Sequence, residues 1–163
     1  VVESVDYWDL DPLGGAPSRW NYGGWHHAVV CLQLNLRSGP VAVTWDGAFG
    51  QWGIAVERGP LATLQAPGSD SWRNWPNEDG RWDAYLGVPI VDVSVTWEPR
   101  EDDPLQTPTA LRLDFASGPV WFVAAYVLPE QDPVGVSGGD EVMVVFERDV
   151  LASLGYTAGN FIR

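Results

Sequence analysis

A chain of 163 residues, 45% of them hydrophobic, can bury the core of one ordinary domain without disulfides or metal ions. Its 22 acidic residues outweigh nine basic residues, all of them arginine, so the net charge is −13 and lysine Schiff-base or lysine-nucleophile chemistry is excluded. Such a charge also opposes binding to nucleic acid or to an anionic membrane surface, and it favours encounter with a basic partner.

The single cysteine and the hydropathy pattern bear on the compartment. Cys31 has no second cysteine to pair with, and it lies in the apolar stretch HAVVCLQL, which predicts a buried, inert thiol. No apolar run approaches the roughly 20 residues of a membrane-spanning helix, and no charged and then apolar leader precedes the first predicted strand. We therefore expect a soluble cytoplasmic protein, with removal of a leader before Val1 left open.

The first predicted strand, VVESVDYW (1–8), is followed by the segment SRWNYGGWHH (18–27). This segment mixes aromatic rings with amide and imidazole side chains, as sugar-binding surfaces and protein-binding hot spots do. Its two histidines are adjacent, and adjacent residues of a strand point to opposite faces, so regular strand geometry does not let the pair chelate one metal ion. The candidate ligand-binding residues of the segment are Trp20, Asn21, Tyr22, Trp25, His26 and His27.

The phrase LQLNLRSGPV (32–41) recurs as LRLDFASGPV (111–120), and each copy predicts a β-hairpin. Apolar residues alternate along the first strand of each copy, which is the period of two expected of a half-buried strand. In both copies the glycine supplies the positive φ that a tight reversal needs. The proline after it stands where a strand's first residue can do without its N–H donor.

Two further pairs of segments extend this repeat. VERGPLATL (56–64) resembles FERDVLASL (146–154) at an offset of 90 residues, and the first strand resembles IVDVSVTW (90–97) at 89, against 79 for the hairpin phrases. Three blocks in the same order, with offset changes that fall in loops, predict a tandem duplication; convergent hairpin composition is the alternative. The predicted single domain then consists of a first half over 1–68, a connection over 69–89 and a second half over 90–163.

The connection is too rich in tryptophan for a bare linker, and acids accompany its indole rings. Its last part, EDGRWDAYLG (78–87), predicts about two turns of helix that Gly87 and Pro89 terminate. Acids that steer encounter and tryptophans that act as buried anchors are what a surface for a basic protein uses. The candidate partner-binding residues are Asp70, Trp72, Trp75, Glu78, Asp79, Trp82 and Asp83.

The second half is more apolar than the first. VWFVAAYVL (120–128) and VMVVF (142–146) are apolar on both faces, which predicts strands covered by a second sheet on one side and by a helix over RDVLASLG (148–155) on the other. A homodimer or partner face is the alternative cover. Between these strands, GVSGG (135–139) has the spacing of a nucleophile elbow, but a strand follows it instead of a helix, so we predict a flexible hairpin loop.

These elements together predict a mainly β fold. Two duplicated antiparallel four-stranded halves form a pseudo-two-fold sandwich or barrel, with one or two short helices. The expected core residues are Leu32, Leu34, Leu36, Val41, Val43, Leu111, Leu113, Phe115, Val120, Phe122, Val144 and Phe146.

Three classes of function compete. The sequence has no catalytic, cofactor or metal motif above background, which favours a non-catalytic acidic protein-interaction module, such as an immunity-like or antitoxin-like inhibitor of a basic protein. A carbohydrate-binding β-sandwich module is the first alternative, with the rings of residues 20–25 stacked on sugars. The second is a small β-barrel enzyme in which His26 or His27 and a carboxylate act as acid and base between the halves.

Overall fold

The computed structural model describes residues 1–10, 20–47, 52–64, 72–76, 80–100, 103–128 and 134–162. These residues form two antiparallel β-sheets that face each other across one hydrophobic core. The mainly β prediction is thereby confirmed, and of its two forms the sandwich is the one observed, since the strands do not close into a barrel. Within the described ranges, no helix has the length and apolar character needed to cross a membrane.

The strands, in chain order, are β1 (Val2–Leu10), β2 (Trp25–Ala28), β3 (Cys31–Leu36), β4 (Gly39–Asp46), β5 (Gly53–Arg58), β6 (Trp72–Pro76), β7 (Ile90–Arg100), β8 (Asp103–Phe115), β9 (Gly118–Leu128), β10 (Val134–Ser137) and β11 (Glu141–Val145). The helical segments are α1 (Leu61–Leu64), α2 (Arg148–Ser153) and the 3-10 turns Arg81–Ala84 and Ala158–Asn160. The first sheet has the order β5–β4–β3–β1–β6, and the second has the order β2–β11–β9–β8–β7, with β10 also paired to β9.

The two hairpins have the same register. Leu32 lies opposite Val43 in the first hairpin, and Leu111 lies opposite Phe122 in the second, so that every pair of the β3–β4 ladder recurs in the β8–β9 ladder 79 residues later. The glycine that opens the second strand has a positive φ in both, 116° at Gly39. The hairpin predicted from the repeated phrase is therefore present twice.

The flanking strands also correspond, but their offset differs from the offset predicted from the sequence. A bulge follows Val2 opposite Leu36 in the first sheet, and the same bulge follows Ile90 opposite Phe115 in the second. The offset between β1 and β7 is thus 88, not 89. Ladder pairing gives 88 for β5 and β11 as well, not 90, whereas the buried leucines of the two helices keep the offset of 90.

Three strands lie outside this four-strand correspondence, and one of them, β10, pairs with β9 beside β11. β2 belongs to the first half of the sequence but pairs with β11 at the edge of the second sheet. β6 belongs to the connection and pairs with β1 at the edge of the first sheet. Each sheet therefore has one added edge strand, β6 beside β1 in the first sheet and β2 beside β11 in the second. The two added strands are not at equivalent edges.

The inner faces of both sheets form a single core. Three predicted members are less buried than expected: Leu36 and Phe146 pack against the core from its margin, and Val41 lies at a partly exposed position. The predicted residues that are at most 5% exposed are Leu32, Leu34, Val43, Leu111, Leu113, Phe115, Val120, Phe122 and Val144.

Each outer face is covered by a short helix. Leu61 of α1 packs with Cys31 and Ala42 on the first sheet, and its N–H donates to Oε1 of Gln33 at 2.8 Å. Leu151 of α2 packs with the outer face of β9 and β11, as the apolar run of the second half predicts. Burial raises the pKa of the Cys31 thiol far above its ordinary value.

The GVSGG motif does not form the predicted hairpin loop. Its first residues belong to β10, and both β10 and β11 pair with β9, one after the other along the same edge. Gly138 has a φ of 89°, and a Cβ on Gly139 would lie 2.3 Å from the backbone of β9. The two glycines thus form a break in a nearly continuous strand: the positive φ of Gly138 disfavours a side chain, and Gly139 has no room for one.

Candidate functional site

The predicted partner-binding residues are only partly within the described structure. Trp72 and Trp75 belong to β6, where their backbones lie opposite Leu10 and Tyr7 of β1. The predicted helix of the connection is shorter than expected, a 3-10 turn over Arg81–Ala84. Outside the described residues lie Asp70, Glu78 and Asp79.

Trp82 and Asp83 occupy this 3-10 turn, with opposite exposures. Asp83 is exposed to solvent, as a surface residue should be. Trp82 is 0% exposed, packs with Phe122 in the inner core, and donates its indole N–H to the hydroxyl of Tyr7 at 2.8 Å. Trp82 therefore anchors the connection to the sandwich, and in this conformation its side chain is not exposed to a partner.

A buried histidine completes this hydrogen-bond chain. The Tyr7 hydroxyl lies 2.6 Å from Nδ1 of His26, to which it can donate its own proton while it accepts the bond from Trp82. Trp20 and Phe146 meet the His26 ring edge-on, with centroids 4.9 and 4.8 Å away. His26 is 0% exposed, so a substrate has no access to its ring without movement of these neighbours.

Arg81 holds the same turn against residues of both halves. Its guanidinium donates to the carbonyl of Gly23, lies 3.6 Å from Oε1 of Glu147, and stands 5.7 Å from the ring centre of Phe146. Burial raises the pKa of the neighbouring Tyr85 hydroxyl, and the positive charge of Arg81 opposes that rise. These contacts indicate a structural role for Arg81.

The remaining candidate ligand-binding residues face the outer side of β2. Tyr22 stacks on Trp25 with ring centres 4.2 Å apart, which covers one face of an indole that is only 4% exposed. Nε2 of His27 lies 3.2 Å from Oε2 of Glu141, on the opposite face from His26 as strand alternation predicts. Asn21 accepts a hydrogen bond from the N–H of Gly23. An exposed row of parallel rings, as a sugar-binding platform requires, is not formed by Trp20, Tyr22 and Trp25.

Two grooves lined by described residues contain no histidine. One lies beside the first hairpin, at Pro40 and Arg58. The other, of about 240 Å³, lies between α2 and the second sheet, where Arg112 and Arg148 line it together with Asp149. Among the described side chains, no group of three or more histidine, cysteine or carboxylate residues is placed to hold a metal ion.

Among the described residues, four of the six exposed large apolar side chains lie on β7 or on the residue that bridges to its outer edge. Val91, Val93 and Trp97 are 66%, 49% and 44% exposed, and Ile162, which bridges to this strand, is 65% exposed. Trp97 is therefore a surface residue, because β7 is an edge strand and no other described strand lies beyond it. Sequence alternation alone did not distinguish an edge from a central strand.

We call the exposed apolar residues at this edge the β7 edge patch and define it as Val91, Val93, Trp97 and Ile162. Acidic residues lie beside the patch. The partly exposed Asp92 and Glu98 are on the same strand. The chain as a whole carries a net charge of −13. Binding at the patch would therefore remove apolar side chains from water, and the negative charge around it can attract a cationic surface before contact is made.

Comparisons with protein-family models, with curated proteins and with solved structures found no match to this chain. The roles of its residues therefore rest on the geometry described above.

Proposed function

We propose that this chain is a non-catalytic protein-interaction module that binds a basic protein, in the manner of an immunity-like or antitoxin-like inhibitor. The observation that carries the proposal is the β7 edge patch in a chain of net charge −13. The buried, lone thiol of Cys31 fits the reducing cytoplasm as its compartment.

Exposed apolar area of this kind is typical of interaction surfaces. Large apolar side chains scattered singly over a surface need no explanation, but four of them around one strand form a patch. Of the described large apolar side chains that are exposed, the two outside the patch are Val56 and Tyr126. An aromatic anchor, Trp97, flanked by aliphatic residues, has the composition of a binding hot spot.

The sign of the charge indicates the kind of partner. Two negatively charged surfaces repel each other, whereas acids at the rim of an apolar patch accelerate association with a cationic surface and make it sensitive to salt. The proposal thus places Asp92 and Glu98 at the rim of the interface and Trp97 within it. Asp83, exposed on the 3-10 turn, contributes to the same overall field.

The test is a titration of the full chain with a peptide of alternating lysine and valine, as long as β7, and with its glutamate–valine counterpart. We expect binding of the cationic peptide only, weakening as salt is raised from about 0.01 M to about 0.15 M because the screening length shortens.

A pair of variants locates the binding. Val93→Lys should weaken it by about tenfold, whereas Val56→Lys, the same substitution at a valine on the open edge strand β5, should change it by less than about twofold. Both variants add the same charge, so a general electrostatic effect would move them equally. Equal binding of the anionic peptide, or no binding of either, would overturn the proposed function.

A further inference from the structure

β1 and β7 occupy equivalent positions in the two halves. Tyr7 of β1 lies opposite Leu32 in the first sheet, and Val95 of β7 lies opposite Leu111 in the second. Each pair of the β1–β3 ladder recurs in the β7–β8 ladder, bulge included. The two outer edges can therefore be compared residue by residue.

The chain itself fills one of these edges. Residues 6–10 of β1 pair with all of β6 in antiparallel register, so that Tyr7 lies opposite Trp75. The equivalent stretch of β7 is 94–98. On its outer edge, away from β8, this stretch has one backbone partner among the described residues, Ile162: the N–H of Val95 donates to the carbonyl of Ile162, and the N–H of Ile162 donates to the carbonyl of Val95, both at 3.0 Å. Ile162 thus stands where Trp75 stands in the other half.

We infer that the basic partner adds an extended strand to this edge of β7, antiparallel to it as β6 is to β1, and displaces Ile162. The inference rests on the proposed function and specifies how the same surface is used. In it, the segment around Ile162 occupies the edge until the partner binds. Two backbone hydrogen bonds and one from the Thr96 hydroxyl to the carbonyl of Asn160 hold this segment on β7, and a strand with a full set of backbone hydrogen bonds replaces it.

The backbone of β7 has the groups that strand addition needs. In an antiparallel ladder the N–H and C=O groups of alternate residues point to the same edge, so those of Val93 share the outer edge with those of Val95. Val93 is also 49% exposed. A long edge strand with exposed valines is a template for pairing unless charge or proline blocks it. Pro99 lies only at the far end, and the charges of Asp92 and Glu98 oppose pairing with strands of like charge.

The acids of β7 select the side chains of the added strand. Asp92 and Glu98 stand on either side of the Val95 position, and opposite charges on adjacent strands attract while like charges repel. The fitting partner segment alternates apolar and basic residues. A second copy of this chain would instead place Asp92 and Glu98 next to their own equivalents, with a charge of −13 on each side.

The experiment uses the full chain and three peptides as long as β7: alternating lysine and valine, the same peptide N-methylated along one edge, and glutamate–valine. Methylation removes the N–H donors of that edge but keeps charge and side chains, so we expect binding to fall at least about tenfold. Bound cationic peptide should also slow hydrogen exchange of the Val93 amide.

Variants of Ile162 test its displacement. Ile162→Pro removes the donor to the Val95 carbonyl and should tighten binding of the cationic peptide by about fivefold, because the competing bond is lost. Ile162→Val keeps both backbone bonds and should change little.

Each outcome bears on one statement. If the methylated peptide binds as tightly, or exchange slows away from β7, strand addition is wrong while the proposed basic partner stands. Unchanged or weaker binding by Ile162→Pro contradicts displacement. A concentration-dependent dimer in sedimentation, disrupted by Val93→Lys, identifies a second copy as the occupant instead. No binding of the unmethylated cationic peptide overturns the proposed function itself.

Discussion

Trp82 and Trp121 are both buried tryptophans, 0% and 3% exposed, but they differ in hydrogen bonding. The indole N–H of Trp82 donates to Tyr7, whereas that of Trp121 has no acceptor among the described residues. A buried donor without an acceptor costs about 1–3 kcal/mol, while a satisfied one contributes about 1 kcal/mol. Replacement by phenylalanine removes a similar volume at both sites, so the difference between the two variants isolates the hydrogen bond.

We therefore expect Trp82→Phe to lower the free energy of unfolding by at least about 1 kcal/mol more than Trp121→Phe. Urea denaturation followed by far-UV circular dichroism measures both, and an unchanged m-value shows that the denatured state is comparable. Equal losses, or a larger loss at Trp121, would mean that the chain from Trp82 through Tyr7 to His26 does not stabilise the fold.

Cys31 makes stability depend on pH above neutrality. Its pKa in the folded chain lies far above the ordinary value of 9.0, because burial disfavours the thiolate. Above about pH 9 the unfolded chain loses this proton and the folded chain keeps it, so the unfolded state binds fewer protons and stability falls as pH rises. Below that pH the contribution of the thiol is fully present.

The expected loss of stability is about 1 kcal/mol between about pH 9 and 10, with a slope that approaches about 1.4 kcal/mol per pH unit, before tyrosine ionisation adds to it. Cys31→Ala should remove this slope, and the fold should tolerate it because Ala110 occupies the equivalent position of the second half. Denaturation curves at three pH values in this window give the slope of each protein. Parallel slopes for the two proteins would show that Cys31 is not the group responsible.

The repeated elements were predictable because each combines two independent signals. The phrases at 32–41 and 111–120 join strand alternation to a Ser-Gly-Pro turn, and together these fix both the hairpin and its register. The predicted offsets of the outer strands differ from the observed ones by one or two residues, because the matching tryptophans and Glu-Arg pairs do not occupy equivalent ladder positions. A bulge or a two-residue insertion leaves no mark on composition.

The added strands and the exposed edge were not predictable in the same way. β2 and β6 are short, and their places depend on which edge is free after the eight repeated strands have paired. Trp82 reads as a surface anchor among acids, yet it is buried because the connection folds back onto β1. Trp97 closes a segment that repeats the first strand, yet it lies on an exposed edge. Burial of such residues is decided by tertiary packing, not by local pattern.

The two halves share one core, so the unfolding of one half is coupled to that of the other. Val43 of the first sheet and Val144 of the second belong to the same inner cluster, and each is at most 1% exposed. Neither inner face is covered without the other sheet, and β2 and β6 attach parts of the first half and of the connection to opposite sheets. We therefore expect a single cooperative transition, not two independent half-domains.

Thermal unfolding of the full chain tests this with tryptophan fluorescence and far-UV circular dichroism in parallel. The two signals should share one midpoint, and calorimetric and van't Hoff enthalpies should agree. Val43→Ala and Val144→Ala, one in each sheet, should each cost about 2 kcal/mol and lower that common midpoint by several degrees. Two transitions, with each variant shifting only one of them, would show that the pseudo-symmetric halves are separate folding units, in which case the shared core does not couple them. If the molecule has a single midpoint and either variant lowers it, the two sheets are stable only together. The loss of one side-chain contact in the core then destabilises every strand at once.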